Sequence, residues 1–186
     1  MVVSRVAGSV MGSDAEPADG AGDARDPVAD AYEQWVAHGW ADAAPGMSAV
    51  TSLIRAHRMV LALIDEQIRD LDLTFARYEI LVLLYFARSG RLSISTICTQ
   101  LEVHQTTASA VVTRLEQQGF VTRERNPDDG RSWLILLTDE GSRAVLTATA
   151  RLNSTVFSRD LFPAEQVNDL RMLRRSAVAD RRRPGG

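Results

Sequence analysis

The stretch HQTTASAVVTRLEQQGFVTRERNPDDGRSWLILLTDEG, residues 104–141, decides the fold because its hydrophobic period changes twice. From Thr106 to Gln118 the spacing is helical, with Val111, Val112 and Leu115 on an apolar back face, and Gly119 stops the helix. Residues 120–125 and 133–137 then read as two strands. Between them Asn126-Pro127-Asp128-Asp129-Gly130 is dense turn chemistry, so the pair predicts a hairpin. Thr138 caps the next helix, and Asp139 and Glu140 fall in its first turn, where negative charge is favoured.

Upstream, Ser93 opens a short helix with Ile94, Ile97, Cys98 and Leu101 inward, and a tight turn separates it from the helix at Thr106. Helix, tight turn, helix and hairpin in that order make a winged helix-turn-helix, so the expected fold is mainly α with a small β-hairpin wing. The second helix of such a pair lies in the DNA major groove. His104, Gln105, Thr106, Thr107 and Ser109 are small or amide-bearing polar residues at that helix's start, and Thr113 follows on the same helix. Side chains of this kind match the donor and acceptor pattern of base edges. Arg114, Arg123, Arg125 and Arg131 are expected to serve phosphates or the minor groove, with Asp129 in the same wing.

Farther upstream, Thr74 caps a helix carrying Tyr78, Leu81, Leu84 and Tyr85, closed by Ser89-Gly90. Ser48 is read as the cap of a longer helix with Val50, Leu53, Ile54, His57, Val60, Leu61, Ile64, Ile68 and Leu71 on one face. Asp26-Pro27 is a cap and first helical residue for a short helix with Val28, Tyr32, Trp35 and Val36, followed by a break over residues 39–46. The last two helices carry Val145, Ala148, Leu152 and Val156, then Val167, Leu170, Leu173 and Ala177. Their apolar faces are longer than one thin domain covers, which predicts a homodimer with Leu152 and Leu170 at the interface. The expected organisation is a disordered acidic segment over 1–25 and a short helix and linker over 26–46. Dimerisation helices follow over 47–72 and 138–180, a DNA-binding lobe over 73–137 and a tail over 181–186.

Charge distribution supports this division. The net charge is −3, but residues 1–46 hold eight acids and two bases, so the remaining 140 residues carry a balance of +3. All 21 positive residues are arginine, which reads as the codon bias of a GC-rich bacterial genome. One cysteine, Cys98, forms no internal disulfide, and residues 1–10 lack the apolar block of a signal peptide. No uninterrupted apolar run approaches the ~18 residues of a membrane helix. A cytoplasmic protein without a membrane role is expected. His38, His57 and His104 are not at metal-ligand spacing with Cys98, so no metal site is expected. No nucleophile–base–acid set, paired carboxylates or phosphate-cradling glycine loop stands out, which predicts a non-enzyme without a cofactor and with no catalytic residue.

The chain resembles the MarR family of bacterial transcription regulators over roughly residues 48–180. The resemblance rests on Leu73-Thr74-Phe75-Ala76-Arg77-Tyr78-Glu79-Ile80-Leu81, on residues 107–121 with Arg114-Leu115-Glu116 and Gly119-Phe120-Val121, on Asp129-Gly130-Arg131, and on Leu137-Thr138-Asp139-Glu140-Gly141. It implies a dimeric regulator, expected to be a ligand-responsive repressor, on a pseudo-palindromic operator, with Arg131 in the minor groove and Asp129 fixing the wing. It also implies an effector pocket lined from residues 48–72 and 74–88, where Arg55, His57, Arg58, Arg77 and Tyr78 suit a small aromatic or other organic acid. The added N-terminal helix with Trp35 resembles the urate-responsive branch, in which such a tryptophan contacts ligand, although that branch has an arginine where Val111 stands. Two further departures are His104 in place of a common serine and the lack of a cation in the recognition helix's first turn. The alternative reading is a winged-helix module that binds protein without DNA; Arg131 at the wing tip argues for DNA.

Overall fold

A computed structural model describes residues 26–127, 129–130, 132–158 and 163–181, and its helices begin largely where the sequence offers caps. Asp26 accepts a 2.9 Å bond from the Val28 amide, with Pro27 first in helix α1 (Pro27–Ala37). Helix α2 (Ala44–Ile68) starts earlier than Ser48 predicts, with Pro45 and Gly46 in its first turn. Proline is tolerated there because a first-turn amide has no intrahelical acceptor, so the apparent break ends at Ala44. A 3-10 turn (Arg69–Leu71) and Asp72, left-handed at φ 52°, lead to α3 (Phe75–Phe86). The α3 cap is partly remote: Asp65 of α2 accepts from the Phe75 amide at 2.8 Å, whereas the Thr74 side chain makes no capping bond.

The lobe contains a strand that periodicity misses. Strand β1 (Arg91–Ser93) pairs with β3 (Trp133–Leu137), which also pairs with β2 (Val121–Arg125), giving an antiparallel sheet in the order β1-β3-β2. The registers are Leu92 opposite Ile135 and Arg123 opposite Ile135. A three-residue strand is too short to announce an alternating pattern; its place follows from the free edge of β3. Between β1 and β2 lie α4 (Ile94–Leu101) and α5 (Gln105–Gln117). Helix α6 (Asp139–Leu152) continues through a π-helical turn (Asn153–Phe157), and α7 (Ala164–Arg181) follows.

The chain divides into two compact units between Arg55 and Ala56. In the first, Val28 and Ala44 are buried and Trp35 meets Trp40 edge-on at 5.3 Å. In the second, one core joins Ile64 and Ile68 of α2, Ile80, Leu81 and Leu84 of α3, Ile97 of α4, Leu115 of α5, Ile135 of β3 and Val145 of α6. Leu152, expected at a dimer face, is instead fully buried in this core, because α6 turns that side toward α3, where the Tyr78 hydroxyl meets Thr149 at 3.0 Å. Val50, Leu53, Ile54 and Met59 of α2 and Leu170, Met172 and Leu173 of α7 are exposed. The span Ala44–Leu71 is long and apolar enough to cross a membrane by length and composition alone, with Arg55, His57 and Arg58 interrupting its apolar run.

The hairpin is locked to α6 at one corner. Thr138 caps α6 by accepting from the Gly141 amide at 3.0 Å. Its own amide donates to the Phe120 carbonyl at 3.1 Å, and its hydroxyl approaches the Gly119 and Phe120 carbonyls at 2.8 and 3.0 Å. A methyl group on Gly141 would stand 2.1 Å from the Phe120 oxygen and 2.8 Å from Leu137 Cδ1. The Leu-Thr-x-x-Gly run thus reflects backbone in contact with backbone.

Two outcomes follow from this packing. Gly141→Ala is expected to lower stability by about 2–3 kcal/mol in urea unfolding, since the clash is with a carbonyl already held by Thr138; a midpoint equal to the parent's would contradict the corner. Glu79 of α3 is half-buried, and burial raises its carboxyl above the usual 4.5. Its protonated form is the one that folding favours, so that contribution is complete below pH 4.5 and lost as pH rises through the raised value. Glu79→Gln should therefore match the parent below pH 4.5 and exceed its stability at neutral pH, and a less stable variant at pH 7 would overturn this.

Candidate nucleic-acid interface

Helix α5 is buried on one side only. Ala108, Val112 and Leu115 enter the core, with Val111 packed at its margin, so the apolar face is rotated slightly from the Val111–Val112–Leu115 expectation. Gln105, Thr106, Thr107, Thr113 and Arg114 are exposed and Ser109 is half-buried. His104 occupies the N-cap position in extended backbone, yet its ring makes no capping bond. The polar residues expected to read DNA therefore occupy the start and outer face of one helix.

The neighbouring strand braces this helix. Arg123 donates to the Thr113 hydroxyl at 2.7 Å and pairs with Glu116 at 3.1 Å, while Thr113 donates to the Ser109 carbonyl at 2.9 Å. Arg123 and Thr113 thus hold α5 against β2 as well as facing outward. Arg125 lies 4.4 Å over the Trp133 ring, directly across the strand pair, and donates to the Gly130 carbonyl at 2.8 Å. Such stacking holds a guanidinium along the wing stem. The wing closes through backbone and side-chain bonds: the Ser132 amide donates to the Asp129 carbonyl at 2.9 Å, the Asn126 amide to the Ser132 carbonyl at 3.1 Å, and Asn126 Nδ2 to the Ser132 hydroxyl at 2.9 Å. Asp128 and Arg131 lie outside the described residues.

A cleft of about 240 Å³ opens where α4, α5 and the sheet converge, lined by Ser95, Gln105, Ser109, Arg123, Ser132 and Trp133 among others. Ser95 and Trp133 escaped the sequence reading. Trp133 could have been found from the strand register, which sets it opposite Arg125; Ser95 carries no such signal. At the other end of α5, Gln118 Nε2 donates to the Asp72 carbonyl at 2.6 Å and to its carboxylate at 2.7 Å. Arg77 also donates to the Asp72 carbonyl at 2.6 Å, and Arg114 lies 3.5 Å from the carboxylate. The Gln118 bond, followed by the charges of Arg77 and Arg114, holds the Asp72 carboxyl below its usual 3.8. The Arg151 bond does the same for Asp70.

The residues expected around an effector are distributed as follows. Trp35 lies on α1, Arg55, His57 and Arg58 are exposed on α2, and Arg77 and Tyr78 begin α3. Arg77 is engaged with Asp72 and Thr74, and the Tyr78 hydroxyl with Thr149. Cys98 is half-buried beside the core. Among the described residues no cluster of three or more His, Cys, Asp or Glu side chains is placed to hold a metal ion.

Comparison with known proteins places this geometry in a family. A profile of the MarR family matches residues 71–132, the segment from the 3-10 turn to the wing. The organic hydroperoxide resistance transcriptional regulator of Bacillus subtilis is 36% identical over 72 residues, 39% of this chain and 48% of that protein. The chain spans about half the length, or less, of that relative and of an HTH-type transcriptional regulator of Clostridioides difficile. A MarR family transcriptional regulator of Streptomyces coelicolor is similar throughout its own solved structure: 38% identity, TM-score 0.64, 76% of this chain and 99% of that one. A second regulator from the same organism, solved in complex with DNA, has 28% identity and a TM-score of 0.60 over 74% of this chain and 87% of that one. A Bordetella bronchiseptica protein whose DNA binding is regulated by 6-hydroxynicotinic acid has 26% identity and a TM-score of 0.59 over 69% of this chain and 98% of that one. On the strength of 38% identity across a whole solved relative and a shared winged helix-turn-helix, the chain belongs to the MarR family.

Proposed function

We propose that the protein is a sequence-specific DNA-binding transcriptional regulator without enzymatic activity, acting in the cytoplasm as a homodimer on a pseudo-palindromic operator. The observation that carries this reading is the outer face of α5, where Gln105, Thr106 and Thr107 are exposed and Gln105 lines the same cleft as Arg123 of β2, with Arg125 exposed farther along that strand. Small polar side chains on a helix free to enter a groove, next to cations for the backbone, are what direct readout requires. The DNA complex of a relative supports the same use of this lobe. Self-association is supported in each unit separately, by the exposed apolar residues Val50, Leu53 and Ile54 of α2 in the first and Leu170 and Leu173 of α7 in the second, groups whose exposure water disfavours. A two-fold dimer would set its recognition helices ~34 Å apart, one turn of DNA.

A small organic anion is the proposed effector. Arg55, His57 and Arg58 on α2 and Arg77 on α3 are cationic or polar groups next to apolar ones, and a relative's DNA binding is regulated by a heteroaromatic acid. Release requires the anion to bind the DNA-incompetent form more tightly, because equal affinity for both forms shifts nothing.

Binding to the DNA flanking the protein's own gene tests the first reading. Arg131→Ala should weaken binding to all sites by a similar factor and reduce the salt dependence, whereas Gln105→Ala should change base preference by ~1–3 kcal/mol at one position. Retention of full affinity by Arg131→Ala at moderate salt would contradict the wing's role. For the effector, a panel of aromatic and aliphatic acids titrated into the operator complex should include one that releases DNA from the parent but not from Arg58→Ala. Release by none of them would contradict an anionic effector.

A further inference from the structure

The core lets α5 lie against its neighbours through Ala108, Val112 and Leu115, and apolar contacts of that kind have little directional preference. Close packing of these side chains narrows the angle of the helix, and directional polar contacts at its surface fix it further. One brace is Arg123, already described. The other lies at the C-terminal end of α5, two residues beyond Glu116, and engages no wing residue. Asp72, two residues beyond Asp70, sits in the left-handed region at φ 52° and ψ 36°. That conformation turns both its carbonyl and its carboxylate toward Gln118, the C-cap residue of α5. The Gln118 amide could not be turned around, since Oε1 would then face the Asp72 oxygens. In the observed orientation Oε1 is buried without a hydrogen-bond partner, a cost the Asp72 contacts must offset.

The same turn is anchored on its far side. Asp70 pairs with Arg151 of α6, and Arg151 also donates to the Gln67 carbonyl at 2.9 Å. Residues 67–72 are therefore tied to α6 by one carboxylate and to α5 by the other. Isolated exposed ion pairs contribute little. Here, however, one residue's carbonyl takes donors from both α3 and α5, and the Arg77 side chain among them is only 15% exposed.

We infer that Asp72 is a positioning residue for DNA binding: by holding Gln118 it sets the orientation of the recognition helix relative to α6 without itself touching DNA. This rests on the DNA-binding reading above. A carboxylate has no attraction for phosphate, so a role in affinity must run through α5. Binding that depends on the bond should be impaired when either partner is removed, and removal of both should add nothing.

The test uses the full chain with Asp72→Gly, which keeps the left-handed backbone accessible, Asp72→Asn, which keeps an acceptor for Gln118, Gln118→Ala, and the Asp72→Gly/Gln118→Ala pair. Operator affinity is measured against salt concentration, and amide hydrogen exchange of residues 114–119 is measured without DNA. Asp72→Gly and Gln118→Ala should each lose about tenfold in affinity, the double variant should be no worse than either, and Asp72→Asn should recover most of the loss. The salt slope should stay unchanged, because no phosphate contact is removed. Exchange at 114–119 should quicken in the Gly and Ala variants while overall unfolding stays within a degree or two of the parent. Tighter binding by Asp72→Gly would make Asp72 a mere repulsive charge beside the DNA and overturn the inference, as would additive losses or parent-like affinity in both single variants. A parent protein that binds no DNA contradicts the proposed function instead, and the exchange measurement then decides the Asp72–Gln118 brace by itself.

Discussion

The Phe120 carbonyl is the point through which the rest of the lobe is organised. It receives the Thr138 amide at 3.1 Å, lies 3.0 Å from the Thr138 hydroxyl, and has the Gly141 backbone packed against it. Four elements end or begin within a few residues of it: α5 and β2 on one strand of the chain, β3 and α6 on the other. The wing therefore leaves and returns to one fixed corner, and the distance between hairpin and recognition helix follows. With that corner set, Ile135 and Val121 close the sheet over the core while Arg123 and Arg125 remain outside.

Above this corner the recognition helix is held by different forces on its two sides. Its inner face is apolar and fully buried at Val112 and Leu115. Its outer face owes its arrangement to polar braces, Arg123 to Thr113 and Glu116 near the wing, and Gln118 to Asp72 at the helix end. The first brace uses a cation that a count of available charges would assign to DNA. Arg123 carries a structural contact and a surface position at once, which suits a helix that must be stiff before it meets a groove.

How much of this was legible varied with the range of the signal. Local chemistry was readable: the Asp26-Pro27 start, the Ser93 and Thr138 caps, the hairpin and the helix-turn-helix spacing all stand where the residues place them. The motifs that resemble the MarR family belong to a chain that is a member of it. Signals that depend on partners distant in sequence were not readable. Strand β1 exists because β3 has an edge to offer, Asp65 caps α3 from another helix, and Leu152 is buried because α6 turns it inward. Helix α2 began early because a proline that breaks a helix interior is at home in a first turn. The Asp72–Gln118 contact spans 46 residues and uses a left-handed aspartate, neither of which periodicity encodes.

In the function proposed, α5 and the hairpin of this MarR family member act on DNA as a two-fold pair. Footprinting with the full chain on the intergenic DNA beside its own gene tests this most directly. Two protected half-sites related by a pseudo-dyad are expected, their centres one helical turn (~34 Å) apart, with protected major-groove guanines or adenines in each. Protection of a single unpaired half-site, or none at low salt by a folded protein, would contradict it.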